Sequence, residues 1–230
     1  MNKYFINFAN NGYYNVQNKA LDSAKSLGFE VKGYRMDDID EDFKLKNQNV
    51  LSCRRGSGYW LWKPYIILDM MEKIKDGDFL IYMDSGAFLI KSPDHILECV
   101  DEKGILAFST IHLQSTWCKK DLFEFIFDKE YDYSDKPQML ASYIFIKKTE
   151  SSVNFIKNWL NITSNYHLIT DEPSISKNYI DFREHRHDQS IYSLLVYKEN
   201  IKIIPDISQW CSDFGLDPNN RIVEHHRVNN

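Results

Sequence analysis

Tyr4-Phe5-Ile6-Asn7-Phe8 is a short apolar run that stops at the polar turn Asn10-Asn11-Gly12. From Tyr14 to Leu27 the spacing changes: Val16, Ala20, Leu21, Ala24 and Leu27 recur at helical intervals, and Gly28 follows as a C-cap. Phe29 to Tyr34 then reads as a second strand. Strand, helix and strand in this order make a βαβ unit, whose two strands run parallel.

The alternation continues along the chain. Helices are expected over Pro64–Ile74, Lys120–Phe127, Ser151–Asn161 and His187–Tyr197, with Pro64 suited to a first turn because its missing N–H costs nothing there. Strands are expected over Phe79–Met83, Ile105–Phe108, Ser142–Ile146 and Lys202–Pro205, and the last stretch reads as irregular. No Pro/Gly/Ser-rich linker interrupts the pattern. The expected fold is therefore α/β: a single Rossmann-like domain over 1–230 with a mostly parallel sheet flanked by helices.

Composition narrows the class of function. With 43% hydrophobic and 27% charged residues the chain is that of an ordinary globular protein. Its net charge of −5 argues against a general nucleic-acid binder. Aromatics reach 14%, which suits a pocket that stacks on bases or sugar rings and equally an aromatic core. Cys53, Cys99, Cys118 and Cys211 are scattered without C-x-x-C or zinc spacing, so they read as reduced thiols of a cytoplasmic protein. The N-terminal apolar run is too short for a signal peptide, and no stretch approaches the roughly 18–20 apolar residues that span a bilayer. A peripheral contact at the inner face of the membrane stays open.

Four clusters at element ends carry chemistry. Gly77-Asp78-Phe79-Leu80-Ile81-Tyr82-Met83-Asp84-Ser85-Gly86 delivers Asp84 at the C-terminal end of a strand, where ligands bind in open α/β sheets. A carboxylate there can hold a divalent cation or a ribose hydroxyl, and Ser85-Gly86 lets a phosphate approach; an ordinary Asp-Ser-Gly turn fits the same residues. Arg54-Arg55-Gly56-Ser57-Gly58-Tyr59-Trp60-Leu61-Trp62-Lys63 combines guanidinium groups, a Gly-rich turn and a helix start, the parts of a diphosphate cradle. Arg183-Glu184-His185-Arg186-His187-Asp188-Gln189-Ser190 opens an apolar helix; Asp188 or Ser190 suits a cap, and a carboxylate here also suits a general base. Glu224-His225-His226 is either a solvated tail or a metal contact, with adjacent His side chains turned to different sides of an extended chain.

With these residues the chain resembles bacterial nucleotide-sugar glycosyltransferases of the GT-A fold, of the capsule and lipooligosaccharide type. Such proteins carry a G-x-G-Y-W-x-W-K-P segment, a G-D-x-x-x-Y-x-D-x-G strand and an H-D-Q-S helix start. Here these are Gly56–Pro64, Gly77–Gly86 and His187–Ser190, and the resemblance runs from the first strand to about Lys198.

The resemblance implies transfer of a sugar from a nucleotide-diphosphate sugar to a hydroxyl of a glycan or lipid-linked glycan. It implies a donor half over 1–110 and an acceptor half with a closing segment over 111–230. The donor site it implies comprises Phe8, Arg54, Arg55, Trp62, Lys63, Asp84, Ser85 and Gly86, and the catalytic set Asp188, Gln189 and His187. A divalent cation, Mn²⁺ or Mg²⁺, is implied at Asp84 with His225 or His226. The chain departs from the family's D-x-D motif at Gly86, which leaves Asp84 as the motif's only carboxylate. In an inverting reaction Asp188 takes the acceptor's proton; in a retaining one Asp188 or Gln189 positions the substrates. Two rival readings are a metal-dependent phosphohydrolase with Asp84, His187, Asp188 and His225 as ligands, and a non-catalytic nucleotide- or glycan-binding module.

Overall fold

The computed structural model describes residues 1–10, 12–127 and 132–226, so Asn11 of the expected first turn lies outside the described residues. The chain begins with β1 (Lys3–Phe8), α1 (Tyr14–Ser26) and β2 (Glu30–Tyr34), the expected βαβ unit. Ala20 and Ala24 turn to the core, and Gly28 leaves the helix with φ +84°, a conformation that favours glycine. Then follow α2 (Trp62–Lys73), β3 (Phe79–Met83), β4 (Ala87–Leu89), β5 (Ile105–Leu113), α3 (Lys120–Phe127), β6 (Pro137–Met139) and β7 (Tyr143–Lys147). The chain ends with α4 (Glu150–Thr163), α5 (His187–Lys198), β8 (Lys202–Pro205) and β9 (Val223–His225).

Among the described residues seven strands form one sheet in the order β2-β1-β3-β7-β5-β6, with β8 also paired to β5. β1 is parallel to β2 and β3, and β8 to β5; β7 is antiparallel to β3 and β5, and β6 to β5. It follows that β1, β2, β3, β5 and β8 share one direction and only β6 and β7 oppose it. The sheet is mostly parallel and flanked by helices, as expected.

Period-two alternation divides the core between the two faces of the sheet. Ile6, Leu80, Tyr82, Ile144 and Ile146 pack toward α2, α4 and α5, whereas Phe5, Ile81, Met83 and Phe145 pack toward α1 and the β4–β9 pair. Each fully buried aliphatic or aromatic side chain contributes about 1.5–3 kcal/mol, so this double-sided packing dominates stability. α4 starts on a capping box in which the Thr149 hydroxyl accepts from Ser152 N, and its buried Trp159 donates the indole N–H to the Asp188 carbonyl at 3.1 Å. That bond ties α4 to the start of α5.

Several elements differ from expectation, among them the short strands β4 and β6, which no sequence pattern singled out. β5 runs on to Leu113, past the expected end at Phe108, because Thr110 to Leu113 continues as strand beyond the buried sheet. The final stretch is not wholly irregular: β9 pairs antiparallel with β4, placing His225 opposite Ala87. No helix among the described residues is long and apolar enough to cross a membrane.

Candidate active site

Same-direction strands bring Phe8 and Asp84 to one edge of the sheet, and α2 and α5 bring Lys63 and His187–Gln189 to it. There a cavity of about 740 Å³ is bordered by Arg55, Lys63, Asp84, Asp188, Gln189 and the His225–His226 pair. A hollow of about 370 Å³ adjoins it through shared Trp60, Asp84 and Gly86, and is lined by Phe8, Arg54, Trp62 and Ser85. Every residue that the sequence singles out as a site residue thus borders one of two joined spaces.

The residues from Gly56 to Trp60 form a left-handed turn: Gly56, Ser57, Gly58, Tyr59 and Trp60 all have positive φ, between 50° and 96°. Such conformations cost about 1–3 kcal/mol at each non-glycine residue, and they persist where surrounding structure enforces them. A Cβ on Gly56 would stand 2.5 Å from the Trp60 ring, and one on Gly58 2.7 Å from the Leu51 backbone. The Trp62 indole donates to the Gly56 carbonyl at 2.9 Å, and Asn10 donates to the Ser57 hydroxyl at 3.1 Å. The turn aims Tyr59 and Trp60 at His187, with ring centroids 4.7 and 5.6 Å away. Phe8 stacks on Trp62 at 3.8 Å and forms the hollow's wall.

Lys63 is the electrostatic centre. Its side chain is only 3% exposed, and Nζ lies 2.6 Å from Asp188 Oδ2, 3.5 Å from Asp84 Oδ1 and 3.0 Å from the Ala141 carbonyl it donates to. Burial works against the ammonium, but the Asp188 and Asp84 carboxylates outweigh it and hold Lys63 above the ordinary lysine value. Burial pushes the Asp188 carboxyl up to about 6 against the opposing pull of Lys63, and Asp84 adds to the rise. The Tyr82 hydroxyl donates to Asp84 Oδ1 at 2.6 Å and fixes that carboxylate at the strand end.

His187 sits at φ +50° at the start of α5. Its Nδ1 lies 2.7 Å from the Ile169 carbonyl, which can only accept, so Nδ1 carries the proton and Nε2 offers a lone pair. Burial drives its pKa down to about 4, which keeps the ring neutral at physiological pH. Gln189 donates its amide to Gln138 Oε1 at 2.9 Å, and Gln138 in turn donates to Gln114 at 3.3 Å and to Ser190 at 3.1 Å.

Some expected contacts are otherwise engaged. Ser85 gives its hydroxyl proton to the Phe8 carbonyl and so staples β3 to β1. Arg55 NH1 lies 3.3 Å from both oxygens of Asp171 and NH2 3.4 Å from Glu184, so its charge is shared before any phosphate arrives. His226 N donates to the Gly86 carbonyl at 2.8 Å, while its ring packs edge-on against Phe88. The His225 ring leans on Trp210 and Tyr143. Among the described residues no three His, Cys, Asp or Glu side chains gather as a metal cage. With Gly86 in place of a second carboxylate and an ammonium 3.5 Å from Asp84, the set Asp84, His225 and His226 does not fit a tightly resident cation.

Three solved structures share this arrangement of elements. The chain superposes on the bifunctional glycosyltransferase WbbM with TM-score 0.58 at 10% identity, covering 100% of this chain and 46% of that one, so it spans about half of that protein. A glycosyltransferase involved in glycosylation of the major capsid of PBCV-1 gives TM-score 0.51 at 10% identity over 99% of this chain and 95% of that one. The galactosyltransferase LgtC, solved with donor and acceptor sugar analogs, gives 0.51 at 14% identity over 98% and 87%. The chain has a GT-A-like glycosyltransferase fold. No protein-family profile and no curated sequence matches it.

Within this glycosyltransferase fold two residues escaped the sequence reading. Asp171 collects Arg55 and the Tyr59 hydroxyl (3.0 Å) and stands 3.6 Å from His187 Nε2. Lys119 is fully buried and donates to the carbonyls of His167, Thr170 (3.1 Å) and Glu172 (3.2 Å), locking the loop that presents Ile169 and Asp171 to His187. The signal for Lys119 was faint: a lysine pair, Lys119-Lys120, at a helix start.

Proposed function

We propose that the chain is a glycosyltransferase that moves a sugar from a nucleotide-diphosphate sugar to a hydroxyl of a surface glycan or lipid-linked glycan. The observation that carries this reading is the Asp84–Lys63–Asp188 bridge, set where the two joined spaces meet at the C-terminal edge of the sheet.

On this reading the nucleotide occupies the smaller spaces at the ends of β1 and β2. The 370 Å³ hollow continues through Ala9 and Asn10 into another of about 500 Å³, where the Arg35 guanidinium lies 4.0 Å over the Tyr14 ring. Arg54 faces the diphosphate, and Asp84 with Lys63 holds the sugar end. The acceptor enters the larger cavity, where Trp210, 38% exposed, offers a face for a sugar ring. The donor half over 1–110 and the acceptor half over 111–230 then meet within β5.

Chemically, the Asp188 carboxylate takes the proton of the acceptor hydroxyl. The acceptor oxygen bonds to the anomeric carbon as the bond to the diphosphate oxygen breaks, and the nucleoside diphosphate leaves with the electron pair. A base with a pKa near 6 is ionised at neutral pH yet still basic, which suits this step. Neutral His187 does not act as an acid; its ring, held against Tyr59 and Trp60, shapes the cavity wall. The capsule and lipooligosaccharide class and work at the cytoplasmic membrane face follow from the motif resemblance.

A thermal-shift screen against nucleotide-diphosphate sugars tests the donor site. At least one donor should raise the melting temperature, and Arg54→Gln with Asp84→Asn should abolish the rise. No stabilisation by any nucleotide would refute the reading.

A further inference from the structure

Behind Gln189, on the wall of the large cavity, lie two fully buried carboxamides that the transfer chemistry leaves unused. Gln114 follows directly on β5, Gln138 lies in β6, and Gln189 belongs to the first turn of α5. Gln114 Nε2 lies 3.3 Å from the Pro137 carbonyl, and Gln138 Nε2 lies 3.2 Å from the Trp117 carbonyl. A peptide carbonyl only accepts, so these two contacts decide which end of each carboxamide is nitrogen. Gln114 Oε1 is thereby turned to Gln138 Nε2 at 3.3 Å, and Gln138 Oε1 to Gln189 Nε2 at 2.9 Å.

The last carboxamide inherits this polarity. Gln189 spends an amide N–H on Gln138, and among the described residues its Oε1 has no partner, so the carbonyl oxygen is what Gln189 offers the cavity it borders. Turning the carboxamide over would set two carbonyl oxygens 2.9 Å apart with no proton between them. Gln138 is held against yielding, because β6 is fastened to α5. The Ser190 hydroxyl accepts from Gln138 Nε2 at 3.1 Å, the Ser193 hydroxyl accepts from Met139 N at 2.8 Å, and Tyr197 donates to the Pro137 carbonyl at 2.8 Å. The Trp117 carbonyl does not depend on Gln138, since it also accepts from Arg186 N at 3.0 Å and from the Ser190 hydroxyl at 2.7 Å.

We propose that Gln138 is a positioning residue for sugar transfer: it holds Gln189 with its carbonyl oxygen toward the cavity, where that oxygen accepts a hydrogen bond from a substrate hydroxyl. Gln114 acts one step further back, by orienting Gln138. The role in transfer rests on the glycosyl-transfer reading; the fixed orientation of Gln189 does not.

The test is a double-mutant cycle read alongside side-chain amide exchange by NMR. In the wild-type protein one Gln189 side-chain N–H, assigned by its loss in Gln189→Met, should exchange with solvent at least about tenfold more slowly than free glutamine. Gln138→Met should remove that protection while a thermal melt reports an intact fold. On the nucleotide-diphosphate sugar that the wild type turns over fastest, Gln138→Met and Gln189→Met should each lower kcat/KM about tenfold. The double variant should fall no further than Gln189→Met alone, because a residue that acts only through Gln189 costs nothing once Gln189 is gone. Unprotected Gln189 in the wild type, full activity of Gln138→Met, or losses that multiply in the double variant would overturn the proposal. The wild-type exchange decides the orientation even if Gln138→Met does not fold. A wild type that turns over no donor defeats the functional reading, and amide exchange then still decides whether Gln138 holds Gln189.

Discussion

Lys63 Nζ stands 2.6 Å from Asp188 Oδ2 and joins the first turn of α2 to the first turn of α5. Both side chains are nearly excluded from water, so neither charge is tolerable without the other. The same ammonium reaches Asp84 at 3.5 Å, so one lysine bridges both carboxylates that face the cavity.

The first expectation concerns pH. A base acts only when ionised, and Asp188 loses its proton near pH 6. Transfer should therefore rise with pH through about 6 and level off above it, while neutral His187 adds no step in that range. Asp188→Asn should lower the rate by about 100-fold or more and flatten the profile. A pH–rate profile of kcat/KM checks this, and an acidic optimum contradicts it.

Removing the bridge should cost stability in a pH-dependent way. In Lys63→Met, Asp188 remains buried without its partner and its pKa climbs further. The folded state then prefers the protonated acid, so stability is retained at low pH and lost as pH rises through the raised value. Urea denaturation should show a loss of about 3 kcal/mol at pH 8 and a smaller one at pH 5.

The left-handed turn makes a backbone prediction. Gly58→Ala puts a Cβ 2.7 Å from the Leu51 backbone at φ +96°, and should destabilise by about 1–3 kcal/mol. Since the turn aims Trp60 at His187, the surviving folded protein should also show altered indole fluorescence. Wild-type stability would mean that the turn is not held as described.

The fold was legible where periodicity is strong and local. α3 falls on Lys120–Phe127 as expected, and β1, α1 and β2 match within a residue or two, because alternating and helical spacings are written in consecutive residues. β9 was not legible: three residues carry no period, and the strand exists only through pairing with Ala87–Leu89 far away in sequence. The turn from Gly56 to Trp60 announced its glycines but not its hand, since Ser57, Tyr59 and Trp60 adopt positive φ only under tertiary constraint. The site residues Lys63, Asp84 and Asp188 were each visible at an element end, whereas the ion pairs among them were not. Asp171 lay hidden in a polar loop because its role is given by Arg55 and Tyr59, which approach from elsewhere in the chain.

Metal affinity offers a further check. With the Lys63 ammonium 3.5 Å from Asp84 and Gly86 in place of a second carboxylate, the protein alone should bind Mn²⁺ no tighter than about 10 µM. Calorimetric titration of the nucleotide-free protein would reveal a stoichiometric site if that expectation is mistaken.

The most direct measurement is release of nucleoside diphosphate from a panel of nucleotide-diphosphate sugars, with and without a saccharide acceptor. Wild-type protein should turn over at least one donor faster with acceptor present. Asp84→Asn and Asp188→Asn should lose about 100-fold or more of that rate while keeping a cooperative melt. Full activity in both variants, or no turnover of any donor by the wild type, would contradict a sugar-transfer site centred on Lys63, Asp84 and Asp188.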